Sequence, residues 1–187
     1  MTNRALLVMD VQNAIVDRIG DGSAAYLATL GPTVTAARTA GIPVIYVRIA
    51  FRTGAPEMSP KNLTFTRIAS GSFDESHLST QIHSAVAPHP GDIIVTKKRV
   101  SAFSGSDLDV VLRSLGVDSL VLTGISTSGV VLSTLRQAAD LDFGLTVLSD
   151  LCADNDPETH RVLMDKVFPR QAAVMTAAEW IEASSAD

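Results

Sequence analysis

The chain has 187 residues, 46% of them apolar and 19% charged, which is the make-up of one compact globular domain spanning 1–187 and excludes a disordered linker or a multidomain assembly. Fifteen Lys+Arg against twenty Asp+Glu leave a formal charge of -5 with the signs mixed along the chain, so no basic strip invites nucleic acid. The apolar runs are short, none near the roughly 20 residues that span a bilayer, and no membrane partner is expected.

In chain order, Met1-Thr2-Asn3-Arg4 lacks a signal-peptide h-region and cleavage site and passes straight into a strand at residues 5–9, so a cytoplasmic location is expected. A helix over 24–40 stops at Gly41, and Ile42-Pro43 leads into a second strand at 43–48. Residues 51–90 break the rhythm with Pro56, Pro60, Pro88 and Pro90 and little periodicity. This is a long excursion from the sheet, either a cover over substrate or else a surface loop or partner-docking arm. A third strand follows at 92–96. Ser106-Asp107-Leu108-Asp109 has capping-box spacing for a helix with Leu108, Val111, Leu112 and Leu115 on its apolar face and Gly116 as its stop. A fourth strand at 119–123 enters the turn Gly124-Ile125-Ser126-Thr127-Ser128-Gly129, which opens a helix running to about residue 140. A fifth strand is expected at 145–148, with Cys152 beyond it. Asn155-Asp156-Pro157 caps a helix ending near Phe168-Pro169, a sixth strand covers 172–175, and Thr176 to Glu179 starts a last short helix.

Continuous apolar strands, as opposed to alternating ones, suit a parallel sheet covered on both faces. With right-handed crossovers, the βα alternation gives a three-layer α/β/α, doubly wound fold on a mostly parallel six-stranded sheet. Cys152, the sole cysteine, has no disulfide partner, and His77, His83, His89 and His160 are scattered without metal-ligand spacing. No metal or cofactor is called for.

Ligands of open α/β sheets bind beyond the carboxyl ends of the strands. The residues there are Asp10, Arg48, Lys97, the Gly124–Gly129 turn and Asp150. A carboxylate beside an ammonium in a dry crevice is either tuned for proton transfer or a structural ion pair. The turn's backbone N–H groups can hold an oxyanion or a carboxylate, while Ser126, Thr127 and Ser128 also serve simply as helix caps.

Three segments then carry a resemblance: Leu7-Val8-Met9-Asp10-Val11-Gln12-Asn13, Thr96-Lys97-Lys98-Arg99-Val100-Ser101-Ala102-Phe103, and Thr123-Gly124-Ile125-Ser126-Thr127-Ser128-Gly129-Val130-Val131. In order and interval they resemble the signatures of the isochorismatase-like (cysteine hydrolase) superfamily, over most of the chain. The resemblance implies a homo-oligomer, dimer or tetramer, with 51–90 and the helix after Thr127 as its surfaces, and a small-molecule substrate. In the amidase branch it implies an Asp base, a Lys and a Cys nucleophile, with a non-proline cis peptide before the Cys. Asp10 and Lys97 fill the first two roles, and Ser126-Thr127 falls at the cis peptide.

The nucleophile position is Val130, which can neither attack nor donate a proton, so the resemblance is to a member without the catalytic thiol. Cys152 is read as a small buried hydrophobe. The isochorismatase branch cleaves a vinyl ether without a thiol, through a protonated Asp, and its Thr-Lys-x-Arg-x-Ser-Ala-Phe segment is close to residues 96–103. Its aromatic-and-histidine turn is not matched by Ser126-Thr127-Ser128. Gln12, Arg48, Arg52 and Phe103 are candidate substrate contacts, each with a packing or salt-bridge alternative. The expected function is hydrolysis of a small carboxylate, vinyl-ether or amide compound through Asp10 and Lys97 without a thiol. The alternatives are a non-catalytic ligand-binding or scaffold relative, and an amidohydrolase using water or Ser128.

Overall fold

The computed structural model describes residues 3–66 and 73–185. Strands β1 (Arg4–Met9), β2 (Val44–Ile49), β3 (Ile93–Lys97), β4 (Ser119–Ile125), β5 (Gly144–Ala153) and β6 (Ala173–Met175) form one sheet in the order β3-β2-β1-β4-β5-β6. Every neighbouring pair runs parallel, so the sheet expected to be mostly parallel is wholly so. The five longer helices are α1 (Ser23–Thr39), α2 (Leu108–Ser114), α3 (Leu132–Asp140), α4 (Pro157–Val162) and α5 (Ala177–Ser185). None of the helices among the described residues is long and apolar enough to cross a membrane.

Successive side chains of a strand point to opposite faces, and β1 shows what that does here. Ala5, Leu7 and Met9 pack with Leu108 and Leu112 of α2, Leu135 and Ala138 of α3, and Leu163, Met164 and Phe168 after α4. Leu6 and Val8 pack on the other face with Tyr26, Leu30 and Val34 of α1 and Trp180 of α5. Burial on both faces is why the strands read as unbroken apolar runs. The order of connection reverses between β1 and β4: the chain leaves β1 toward β2 and leaves β4 toward β5, so the connections part and open a crevice at the carboxyl ends of these two strands.

Local signals act as their chemistry dictates at most ends. Gly41 takes φ +71 after α1, with Gly41 N–H donating to Arg38 O and Ile42 N–H to Ala37 O. Asp156 caps α4 by accepting from Glu158 N at 3.0 Å, and Thr176 with Glu179 forms the reciprocal box that opens α5. The box expected at Ser106 and Asp109 does not form. The helix begins one residue later than that spacing requires, so Ser106 Oγ accepts from Leu108 N at 3.3 Å while Asp109 pairs along the helix with Arg113 at 2.9 Å.

The largest departure is β5, which runs on to Ala153 and not to 148. Its register with β4 is irregular: Leu122 faces Val147 but Gly124 faces Cys152, two steps on one strand against five on the other. Asp150 and Cys152 therefore lie inside the strand instead of beyond it. The segment between β2 and β3 is packed against the α1 face. Phe51, Phe65, Phe73 and Val86 are buried there, and the Phe51 and Phe65 rings meet edge to face at 5.5 Å. Residues 67–72 of the expected excursion lie outside the described residues.

Candidate active site

Asp10 follows β1 directly, with its N–H donating to Val47 O at 2.7 Å. Its φ of +58 is a left-handed conformation that non-glycine residues adopt at some cost. Lys97 closes β3, in register with Ile49 of β2, so its side chain crosses the end of β2 to reach Asp10. Lys97 Nζ lies 2.9 Å from Asp10 Oδ2, with 1% and 8% of the two side chains exposed. Nζ also donates to the carbonyls of Arg99 and Val100, both at 3.0 Å, which occupies its three protons. The other carboxylate oxygen, Asp10 Oδ1, is buried and has no hydrogen-bond partner among the described residues. Burial raises the Asp10 carboxyl above the usual carboxylate range, and the Lys97 ammonium opposes that rise.

Above the pair lies a cavity of about 190 Å³. Ile15, Ile49, Phe65, Phe73, Val100, Ile125 and Val130 give it apolar walls, and Arg18, Thr64, Ser126 and Asn155 add polar groups. The floor on the β4 side comes from close packing. Gly124 has φ +152, and a Cβ on it would stand 2.5 Å from Met9 O, so only glycine lets β4 approach β1 there. The next peptide, Ile125–Ser126, is cis, one residue before the Ser126-Thr127 expected; Ile125 is still paired in the strand, so the turn begins at it. The helix then opens with a wide π turn, Thr127–Val131, before continuing as α3.

Of the residues nominated from sequence, the cavity gathers Asp10, Lys97, Ser126, Gly129 and Val130. The others lie elsewhere. Gln12 is fully buried as a brace, its Nε2 donating to Ile49 O and Thr80 O and its Oε1 accepting from Ile49 N. Arg48 faces Thr96 across the β2–β3 register and donates to Thr96 Oγ1 and Gln81 Oε1. Arg52 pairs with Glu57. Phe103 packs in the core on Phe143, with ring centroids 6.1 Å apart. Thr127 is buried with Oγ1 bonded to His160 Nδ1 at 2.8 Å. The exposed Ser128 donates its N–H to Asp154 Oδ2 at 2.7 Å, so that amide is already engaged. Each of these residues makes a hydrogen bond or packing contact that strand-end position alone does not reveal.

Arg18, Thr64, Phe65, Phe73 and Asn155 were missed. Asn155 had a signal, since a strand drawn to its true end at Ala153 puts Asp154-Asn155 at a strand end. Cys152 lines a different crevice, of about 480 Å³, with Tyr26, Asp150, Asp154 and His160. Burial pushes its thiol far above the usual thiol range, with no cation to oppose it.

An open, wholly parallel α/β sheet with an acid and an ammonium in the crevice at its switch point defines the class: an α/β protein built for small-molecule chemistry at the strand ends. The sequence model of the isochorismatase domain family matches residues 4–179, and the chain belongs to that family. It is a hydrolase of that family. It is 33% identical over 190 aligned residues to the ureidoacrylate amidohydrolase RutB of Methylobacterium radiotolerans, covering 87% of this chain and 72% of that one. It is 30% identical to the isochorismatase family protein YwoC of Bacillus subtilis, covering 95% and 92% of the two chains. Among solved structures, an isochorismatase family protein from Burkholderia thailandensis superposes with a TM-score of 0.88 at 28% identity, covering 99% of this chain and 96% of that one.

Proposed function

We propose that this hydrolase cleaves a small amide in the Asp10/Lys97 cavity with water as the nucleophile and no thiol taking part. The observation that carries the reading is the division of labour on the carboxylate of Asp10, a lining residue of the cavity: Lys97 holds Oδ2, and Oδ1 has no hydrogen-bond donor among the described residues. A carboxylate oxygen with no protein donor is suited to take a proton from an attacking water. The oxygen of that water bonds to the carbonyl carbon, and its proton passes to Oδ1. Asp10 then returns the proton to the leaving nitrogen as the C–N bond breaks. Lys97, with all its protons engaged, acts through its charge and holds Asp10 in place. The Ser126 hydroxyl and the backbone at Val130 border the developing oxyanion, whereas the N–H groups of Ser128 and Gly129 are committed to Asp154 Oδ2 and Ser126 O.

Val130 removes the covalent route at that position, and Cys152 lies in the other crevice with its thiol pushed far above the usual range. The RutB relative, named for amide hydrolysis, supports the choice of a C–N bond. The raised Asp10 carboxyl favours one other reading, vinyl-ether cleavage by protonated Asp10. The two predict opposite pH limbs. An Asp10 base loses kcat/KM as pH falls through its raised pKa, because the carboxylate is consumed. An Asp10 acid loses it as pH rises through the same value. A panel of small amides and vinyl ethers, profiled from pH 4 to 9, is expected to give amide turnover with an acid limb. A vinyl-ether substrate with a basic limb overturns the amide reading, as does a covalent acyl adduct on Ser126 caught by mass spectrometry.

A further inference from the structure

The proposed chemistry uses Lys97 and leaves the next residue without a role, although Lys98 is held as firmly. Lys97 reaches Asp10, whereas Lys98 reaches a separate set of groups, as successive residues of an extended chain do. Lys98 Nζ donates to Ala50 O at 2.7 Å and to Glu75 Oε1, and lies 3.9 Å from Glu57 Oε1, which Arg52 also binds. Its stem is fixed as well, since Gly105 has φ +71 and a Cβ there would stand 2.9 Å from Lys98 Cβ. Exposed ion pairs contribute little, but only 14% of the Lys98 side chain is exposed, and its ammonium meets two carboxylates and a carbonyl.

What Lys98 grips is the segment that walls the cavity. The chain leaves β2 through Ala50 and Phe51 and returns alongside them at Phe73. Phe51 N–H donates to Phe73 O at 2.8 Å, and Glu75 N–H donates to Phe51 O at 2.9 Å. Lys98 therefore ties both limbs, Ala50 and Glu57 on the way out and Glu75 on the way back, with the cavity wall Phe73 two residues from the ion pair. Arg99 acts beside it: its guanidinium carbon lies 5.9 Å from the centroid of Phe65, the cavity's other phenylalanine.

We infer that Lys98 is a positioning residue of this hydrolase: through Ala50 and Glu75 it holds Phe73 where that ring walls the substrate, and so sets KM and not the chemical step. The inference rests on the reading that places catalysis in the Asp10/Lys97 cavity and adds the charge that holds its wall.

The test compares the wild type with Lys98→Met, which keeps a stem and removes the charge, with Glu75→Gln, and with the double variant. Glu75 is 44% exposed, so Glu75→Gln leaves the packing intact even if Lys98→Met fails to fold. Amide hydrogen exchange followed by mass spectrometry reads the two limbs without substrate. The amides of Phe51 and Glu75 are expected to exchange about five- to tenfold faster in Lys98→Met, and about two- to threefold faster in Glu75→Gln, with β1 unchanged. On the amide that the wild type turns over fastest in the panel above, KM is expected to rise by about the same factors, with kcat within about twofold. Glu75→Gln adds nothing once residue 98 has lost its charge, because the two groups act as a pair. Unchanged exchange in both single variants, faster exchange with an unmoved KM, a fall in kcat in place of the KM rise, or additive effects in the double variant overturns the assignment. The same KM rise on a vinyl ether, with no amide turned over, leaves Lys98 assigned and sinks the amide reading, so the two failures are distinguishable.

Discussion

Two crevices open on the same edge of the sheet, and they treat buried ionisable groups in opposite ways. The smaller one holds Asp10 against Lys97; the larger one, across the turn that begins α3, holds Cys152. Burial raises the pKa of both groups. At Asp10 the rise is opposed by an ammonium at 2.9 Å that is itself fixed by two carbonyls. At Cys152 only a backbone hydrogen bond near Gly124 opposes it, and the Asp150 charge adds to it. Burial alone therefore silences a group. Burial against a fixed, fully bonded counter-charge keeps the ionised form accessible and leaves one oxygen for chemistry. The same contrast favours the smaller crevice as the proposed reaction site.

The strongest way to break this comparison is to make Asp10 resemble Cys152. Lys97→Met leaves a buried carboxylate uncompensated, along with the bare carbonyls of Arg99 and Val100. A loss of about 3–5 kcal/mol in unfolding free energy at pH 8 is expected, of the size found on breaking buried pairs. The sign with pH is fixed. A carboxyl raised in the folded state contributes most below its unfolded value of 3.8, and that contribution is lost as pH rises through the folded value. Denaturant titrations should therefore show the cost shrinking as pH falls from 8 toward 4; a cost that stays constant contradicts the account of Asp10. A smaller effect sharpens the comparison from the other side. Val130→Cys places a thiol on the wall shared with Lys97, at a stability cost of about 1 kcal/mol. Iodoacetamide should label position 130 at least about tenfold faster than position 152, since thiolate character and access set the rate. Equal labelling would mean that the cation does not reach across the cavity.

The sheet was legible because its strands are buried on both faces and so announce themselves as apolar runs, and the positions of Asp10 and Lys97 followed from the strand-end rule. β5 was underestimated because Ser149-Asp150 interrupts its apolar run, and this displaced Asp150 and Cys152 from inside the strand to beyond it. Side-chain direction at a strand end was not legible. Gln12, Arg48 and Phe103 sit close in sequence to the right positions, yet turn to partners that only the folded chain provides. Arg18, Phe65 and Phe73 arrive on connecting segments whose conformation no local pattern fixes.

The central claim is that hydrolysis runs through a carboxylate and not through a thiol. The most direct measurement is kcat/KM for Asp10→Asn and Cys152→Ala side by side on one amide substrate, with circular dichroism confirming that both fold. The account predicts a loss of about 10²- to 10⁴-fold for Asp10→Asn, the usual contribution of a general base, and a value within about twofold of wild type for Cys152→Ala. A Cys152→Ala enzyme that is inactive, or an Asp10→Asn enzyme that turns over normally, would contradict it.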